Sequence, residues 1–218
     1  MSQLKLVFGN KNYSTWSLRP WFLLKNLSID FDEIIVFLFE ENTDDLLEPY
    51  FSNSKVPVLV DGDLNVWDTL AIIEYIADKY PEKMVWPKAL KERALARSVS
   101  AEMHSSFFAV RNALPMNIRK HFPGYSITDE VQADIERITA LWDYCHQSNT
   151  SKKGPWLFGN FSAADAMYAP VVMRFVGYDV KLSGFAADYV DYVSKNQYMQ
   201  DWIVAAKKET QVIAEDEI

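Results

Sequence analysis

The sequence contains few of the residues that cross-link a chain or bind a metal. Cys145 is its only cysteine, and there are three histidines among 218 residues. No disulfide can form within the chain, which is typical of proteins in the reducing cytosol. No group of cysteines and histidines has the spacing of a metal site. The sequence therefore predicts a protein without a bound metal, and it predicts that Cys145 is a small apolar core residue rather than a reactive thiol.

Clustered positive charge and long apolar runs are also missing. Lys and Arg number 22 against 30 Asp and Glu, a net charge of −8, so no basic face for nucleic acid is expected. No apolar run approaches the ~20 residues that span a membrane, and Arg174 interrupts the run Tyr168–Val176. The first residues do not have the pattern of a signal peptide. These features predict a cytoplasmic protein that binds neither nucleic acid nor membrane.

Short strand and helix patterns alternate in the first third of the chain. Strands are predicted at Leu4–Phe8, Asp32–Phe39, Val56–Val60 and Leu64–Trp67, and helices at Ser17–Leu27, Thr43–Tyr50 and from Asp68 or Thr69 to Lys79. Asp61-Gly62-Asp63 between two apolar runs indicates a hairpin. A right-handed crossover would make the first two strands parallel. The predicted order is strand, helix, strand, helix, strand, strand, helix.

Helical patterns alone follow from the two prolines of Tyr80–Pro87 onward. They are predicted at Lys88–His121, Thr128–Ser148, Ser162–Gly177, Phe185–Lys195 and Met199–Lys207. Pro115 is expected to kink or end the first of these helices. We therefore predict an α/β domain at residues 1–80, a linker at 81–88 and an all-helical domain at 89–218.

Three junctions have residues suited to a ligand, and each also has a purely structural interpretation. Val56-Pro57 opens a strand, a position that suits proline because it has no N–H to donate to a neighbouring strand. A cis peptide bond here would turn the preceding backbone outward, and the structural alternative is an ordinary trans bond. Asp68-Thr69 precedes a helix whose free N–H groups attract an anion such as a ligand carboxylate. Asp68 itself could bind an ammonium group of the ligand. The structural alternative is that these two residues only cap the helix. A hydroxyl in the loop Asn12–Ser17 would point at a bound group near the positive end of a helix. The structural alternative is a helix cap, since Ser and Thr are the usual capping residues.

A fourth candidate is a predicted helix face after the linker. His104, Phe107, Phe108 and Arg111 stand at i, i+3, i+4 and i+7, which places them on one side of a helix. This face suits a polar or anionic co-substrate, or it is half-buried with Arg111 reaching to solvent. Three further residues that follow Pro115 are expected to border the same cleft: Met116, Asn117 and Arg119.

Together these motifs resemble the glutathione transferase superfamily over nearly the whole chain. The most specific parts are Lys55-Val56-Pro57-Val58-Leu59 and the run from Trp67 to Ile76. Ser162 and Asp165, spaced as a capping box, resemble the folding motif of the family's second domain. The loop Tyr13–Ser17 followed by Arg19 is similar to the serine- and cysteine-type members, including the zeta-like ones, rather than to the tyrosine type. It lacks the Ser-Ser-Cys of true zeta enzymes.

The resemblance implies an N-terminal thioredoxin-like domain (βαβαββα), an all-α C-terminal domain and a homodimer. It implies that Val56, before a cis Pro57, pairs its backbone with glutathione. It implies that Asp68 and Thr69 hold the γ-glutamyl end. Ser14 would donate a hydrogen bond to the sulfur of glutathione, with Tyr13, Thr15 and Ser17 as competing hydroxyls. The implied activity is attack of a glutathione thiolate on a small electrophile; a glutathione-dependent isomerase, a peroxidase and a non-catalytic binding protein remain alternatives.

Overall fold

A computed structural model describes residues 3–150 and 154–218. Its first part contains four strands and three helices in the predicted order. The strands are β1 (Leu4–Phe8), β2 (Phe31–Ile35), β3 (Val58–Asp61) and β4 (Leu64–Val66); the helices are α1 (Thr15–Asn26), α2 (Thr43–Leu47), extended by a 3-10 turn at Glu48–Tyr50, and α3 (Thr69–Lys79). This arrangement confirms the thioredoxin-like fold class.

The four strands form one mixed sheet in the order β2-β1-β3-β4. β1 pairs parallel to β2, and β3 pairs antiparallel to both β1 and β4. The crossover between β1 and β2 and the hairpin between β3 and β4 were therefore predicted correctly. Because β3 lies inside the sheet, Pro57 cannot be at a sheet edge. It precedes the first paired residue of β3, Val58, so its missing N–H costs no ladder bond.

Pro20 lies deeper in α1 than the sequence pattern predicted. The helix begins at Thr15 rather than Ser17, which makes Pro20 its sixth residue. A proline at this position cannot donate to the carbonyl four residues before it, that of Trp16. The Trp16 carbonyl instead accepts a hydrogen bond from the Thr69 hydroxyl, at 3.4 Å. The start of α3 therefore compensates for the proline in α1.

In the part of the chain that the structure describes, six further α-helices follow a 3-10 turn at Pro81–Lys83. They are α4 (Leu90–Ser105), α5 (Phe108–Ala113), α6 (Asp129–Ser148), α7 (Ala163–Gly177), α8 (Gly184–Lys195) and α9 (Gln197–Ala206). Every residue of α7 from Ala163 to Phe175 is buried, and α7 packs against α1, α4 and α8. The helix thus joins the α/β part to the helical part. The division of the chain at residues 80 and 89 stays a prediction.

The predicted helix Lys88–His121 is wrong in one respect, because it breaks before Pro115. α4 ends at Ser105, and Phe107 has a left-handed backbone with φ 64°. The Arg111 side chain folds back onto the freed carbonyls: its Nε donates to Ser106 at 2.8 Å and its Nη2 to Met103. A guanidinium is a favourable partner for the carbonyl end of a helix, so Arg111 stabilises the break.

Candidate active site

A cleft of about 920 Å³ opens along one end of the sheet. Five parts of the chain line it: the start of α1, the stretch from the end of β2 into α2, the segment before β3, the start of α3 and the end of α4. The predicted residues among its lining are Ser14, Val56, Pro57, Asp68, Thr69 and His104. The cleft therefore brings together the three junctions that the sequence indicated.

Ser14 is the N-cap residue of α1 and is 8% exposed. Its side chain makes no capping hydrogen bond to the helix. The Ser14 Oγ instead donates to the Ser17 Oγ at 2.7 Å, and the Ser17 Oγ accepts from the Gly9 N–H at 3.0 Å. The interpretation of Ser17 as a helix cap is therefore wrong. If Ser14 turned its proton toward a ligand, Ser17 could supply a proton to the Ser14 oxygen in return.

The other hydroxyls of this described loop face elsewhere. The Tyr13 hydroxyl donates to Glu217 and accepts from the Arg119 Nη2 at 2.7 Å. Thr15 is buried and does not line the cleft, and Ser17 is fully buried. Ser14 is thus the only one of the four hydroxyl residues from Tyr13 to Ser17 that lines the cleft.

The peptide bond between Val56 and Pro57 is cis, as predicted. Neither the N–H nor the C=O of Val56 is hydrogen-bonded to another described residue. Val56 lies directly before β3 and lines the cleft. An extended peptide in the cleft could therefore pair with Val56 as one more strand pairs with a sheet.

Asp68 caps α3 and also contacts α4. One carboxylate oxygen of Asp68 accepts from the Leu70 N–H at 2.9 Å. The His104 Nε2 lies 2.8 and 3.0 Å from the two oxygens. The hydroxyl of Thr69 is already occupied by the Trp16 carbonyl. Asp68 therefore offers negative charge to the cleft, and Thr69 is left with its backbone N–H at the helix start.

The predicted co-substrate face is not continuous. His104 lines the cleft, whereas Phe107 is buried in the core at 5% exposure and Phe108 is 67% exposed. Arg111 is held by the carbonyls at the end of α4. The expectation of one shared face is wrong, because the helix breaks between His104 and Phe107. Three other predicted border residues, Met116, Asn117 and Arg119, are absent from the described lining of the cleft.

The residue that the sequence analysis missed most clearly is Trp16. Its ring lies 4.2 Å from the Arg19 guanidinium and 5.1 Å from that of Arg111, and His104 meets its edge at 5.2 Å. Arg19 is 1% exposed, and burial, together with the charges of Arg111 and Arg174, lowers its pKa well below the usual value. A tryptophan one turn before a proline gave no signal that its side chain would line the cleft.

The described parts of the chain contain no cluster of three or more side chains suited to a metal ion. Within the same residues, no helix is long and apolar enough to cross a membrane. The polar groups that line the cleft are hydroxyls, carboxylates, the imidazole of His104, the ammonium of Lys55 and backbone amides.

Sequence comparison finds relatives that match part of the chain. Residues 13–79 match the family model of the glutathione S-transferase N-terminal domain. Glutathione S-transferase 1 of Dianthus caryophyllus is 32% identical over 115 residues, 53% of this chain and 52% of the relative. A probable maleylacetoacetate isomerase of Caenorhabditis elegans is 30% identical over 129 residues, 58% and 59% of the two chains. The chain thus spans about half the length of these relatives.

Structure comparison extends the likeness to nearly the whole chain. A Burkholderia glutathione transferase homologue, solved with bound glutathione, covers 96% of this chain and is itself fully covered, with a TM-score of 0.70 at 20% identity. An epsilon-class glutathione S-transferase from the housefly Musca domestica matches over 94% of both chains, with a TM-score of 0.70 at 19% identity. At these identities the likeness shows the fold. The chain therefore has the fold of these glutathione transferases, and its residues 13–79 match the N-terminal domain of that family.

Proposed function

We propose that this protein is a glutathione transferase in which Ser14 activates the sulfur of glutathione. The observation that carries the proposal is that Ser14 alone, of the hydroxyl residues from Tyr13 to Ser17, lines the cleft. It does so from the N-terminus of α1, where the helix favours negative charge. A thiolate beside this hydroxyl would receive one hydrogen bond and the field of the helix.

The chemistry depends on the acidity of the thiol. A free thiol has a pKa near ~8.5, so about 3% is thiolate at pH 7. Lowering that pKa by about two units requires roughly 2.7 kcal/mol of preferential stabilisation of the anion. The thiolate fraction would then rise on the order of 25-fold. The activated sulfur attacks an electrophilic carbon that the cleft holds beside it.

Complementary charge and free backbone groups support glutathione as the co-substrate. We propose that Val56 pairs with the cysteinyl unit through its two unpaired backbone groups. Asp68 would accept the γ-glutamyl ammonium, and the N–H of Thr69 would donate to the neighbouring carboxylate. Lys55 is the one Lys or Arg in the described lining of the cleft and would meet the carboxylate at the other end of the peptide.

His104 is the member of the predicted co-substrate set that lines the cleft, and we propose that it contributes to the second substrate's subsite. Phe107 and Arg111 would shape that subsite indirectly. They hold the end of α4, which carries His104, and Arg111 also contacts Trp16 in the cleft lining. The second substrate is a small electrophile. The domains proposed at residues 1–80 and 89–218 would enclose it from opposite sides.

A homodimer in the cytoplasm completes the proposal. Phe51 is 82% exposed and meets Trp67 edge-on at 5.9 Å, so an aromatic pair lies at the surface beside the cleft. Exposed apolar groups of this size are common in protein interfaces.

A glutathione-dependent isomerase is the second candidate function. It is favoured by the similarity to a probable maleylacetoacetate isomerase. The same sulfur would add to the substrate and leave again, so glutathione would not be consumed. A panel of electrophiles with glutathione measured before and after turnover separates the two activities, and binding without turnover of any substrate would favour a non-catalytic binding protein.

Replacing Ser14 tests the proposed mechanism. Removal of one hydrogen bond to a charged sulfur costs ~1.5–3 kcal/mol, so Ser14→Ala should lower turnover roughly 10- to 150-fold. It should also raise the pKa of bound glutathione, read from the pH dependence of thiolate absorbance, with little change in glutathione affinity. Tyr13→Phe and Thr15→Val are the matched controls. If a control shifts both quantities and Ser14→Ala shifts neither, Ser14 is the wrong residue.

A further inference from the structure

The loop before α1, residues 9–13, is held mainly by residues of the helical part of the chain. The Trp202 Nε1 donates to the Lys11 carbonyl at 2.8 Å. The Asn12 Oδ1 accepts from the backbone N–H of Arg119 at 2.8 Å. The Asn12 carbonyl accepts from the Ile118 N–H at 3.2 Å. A loop that precedes the proposed sulfur-activating residue is therefore fixed by residues about 100 to 200 positions later in the chain.

Glu209 provides the most direct of these contacts. One of its carboxylate oxygens accepts from the Lys11 N–H at 2.7 Å, and the other accepts from the Asn12 N–H at 2.9 Å. Two adjacent backbone donors thus share one carboxylate, an arrangement in which each hydrogen bond is charge-assisted. Glu209 is half-buried, three residues after the end of α9.

Arg119 fixes the backbone that carries this carboxylate. Its Nη1 donates to the Glu209 carbonyl at 2.5 Å, and its Nη2 donates to the Gln211 carbonyl at 2.7 Å. The same Nη2 reaches the hydroxyl of Tyr13. Arg119 and Glu209 therefore form one unit that joins the segment after α9 to the loop.

The loop passes this constraint to Ser14. The N–H of Ser14 donates to the Asn10 carbonyl at 2.8 Å, and that of Tyr13 donates to the same carbonyl at 3.2 Å. Lys11 and Asn12 form the body of this turn. If their N–H groups lost Glu209, the turn would relax and the Ser14 hydroxyl would move relative to the cleft. A displacement of about 1 Å at a reacting group can lower a rate on the order of 100-fold.

We infer that Glu209 is a positioning residue of the active site, holding the Lys11–Asn12 turn so that Ser14 points at the sulfur of glutathione. This inference rests on the proposed function of Ser14. It assigns the segment after α9 a part in catalysis although Glu209 does not line the cleft.

The test is a double-mutant cycle between Glu209 and Ser14. Glu209→Ala should lower kcat about 10- to 100-fold and raise the pKa of the bound thiol. The KM for glutathione should change little, because Val56 and Asp68 bind the peptide elsewhere. Glu209→Gln keeps one acceptor oxygen and should recover part of the rate. Glu215 is an exposed acid of the same segment, and no described residue donates a hydrogen bond to its side chain. Glu215→Ala should therefore behave as wild type.

The cycle separates positioning from general stability. Since Glu209 acts through Ser14, Glu209→Ala should have almost no further effect on kcat in a Ser14→Ala background. Fully additive losses, or an unchanged thiol pKa in folded Glu209→Ala, would overturn the inference. Amide hydrogen exchange of residues 9–14 gives an independent measure, and Glu209→Ala should accelerate it at least about 10-fold. If Ser14→Ala alone has no effect, the proposed function fails, and the exchange rates still show whether Glu209 holds the loop.

Discussion

Asp165 permits a test in which the sign of a pH effect decides between two physical causes. It is fully buried at the start of α7 and accepts four hydrogen bonds. The donors are the N–H groups of Leu157 at 3.0 Å and Ser162 at 2.8 Å, and the hydroxyls of Ser162 at 3.1 Å and Tyr189 at 3.2 Å. The predicted capping box is present, and it extends to the turn before α7 and to α8.

Removing the carboxylate should be costly at neutral pH. In Asp165→Ala the backbone N–H groups of Leu157 and Ser162 lose their acceptor in a buried site. Each such group costs about 1–3 kcal/mol, so the free energy of unfolding should fall by about 2–6 kcal/mol. Asp165→Asn keeps one acceptor oxygen and should lose less. Urea unfolding of the variants against wild type measures these differences.

The pH dependence follows from burial. Desolvation, which outweighs the hydrogen bonds, raises the pKa of Asp165 from 3.8 to about 6. A carboxyl group whose pKa is raised in the folded state stabilises the fold when it is protonated, so its contribution grows as the pH falls from about 6 toward 4. The difference in unfolding free energy between wild type and Asp165→Asn should be about 2 kcal/mol larger at pH 4.5 than at pH 7.5.

The opposite trend would refute this reasoning. If the four hydrogen bonds dominated, the folded pKa would lie below 3.8, and the advantage of wild type over Asp165→Asn would shrink as the pH falls. Other groups titrate in the same range, but their contributions cancel between the two proteins as long as they lie far from Asp165.

Two further predictions concern a core thiol and a cleft contact. Burial raises the pKa of Cys145 to about 12, so at pH 8 about 0.01% of this thiol would be thiolate. A disulfide reagent should therefore titrate no thiol in the native protein and one thiol in denaturant. Rapid labelling of the native protein would contradict the assignment of Cys145 to the core. His104 also contacts Asp68, the residue proposed to hold the γ-glutamyl end of glutathione. His104→Ala should therefore raise the KM for glutathione up to about 5-fold with kcat nearly unchanged, because such an exposed pair contributes about 0–1 kcal/mol. His121→Ala, which breaks a similar exposed pair with Asp179, is the control, and an equal effect of both variants would count against a role of His104 in the site.

The parts of the fold that sequence analysis predicted depend on local chemistry. Asp61-Gly62-Asp63 directs a hairpin through its own backbone preferences, and Asp68 caps α3 through a hydrogen bond two residues along the chain. The cis bond before Pro57 was predicted because the surrounding motif resembles a known family. In each case, the residues that determine the structure are close together in the sequence.

The errors arose where distant residues decide the local structure. The break after α4 places Phe107 in a left-handed conformation that its own side chain disfavours, and the Arg111 guanidinium compensates by binding the carbonyls at the helix end. The start of α1 was placed too late because Pro20 was expected in a first turn. No local pattern shows that the Thr69 hydroxyl would occupy the Trp16 carbonyl that Pro20 leaves free.

The same distinction explains why the site was only partly predictable. Ser14, Val56 and Asp68 belong to motifs at junctions between strands and helices, and the sheet order places these three junctions at the same end of the sheet. The contact between Glu209 and the Lys11–Asn12 turn joins residues 197 and 198 positions apart, and nothing near Glu209 in the sequence distinguishes it from the other acids of the segment. A chemical motif can therefore identify which hydroxyl lines the cleft, while the residues that hold this hydroxyl in place become visible only when distant parts of the chain are brought together.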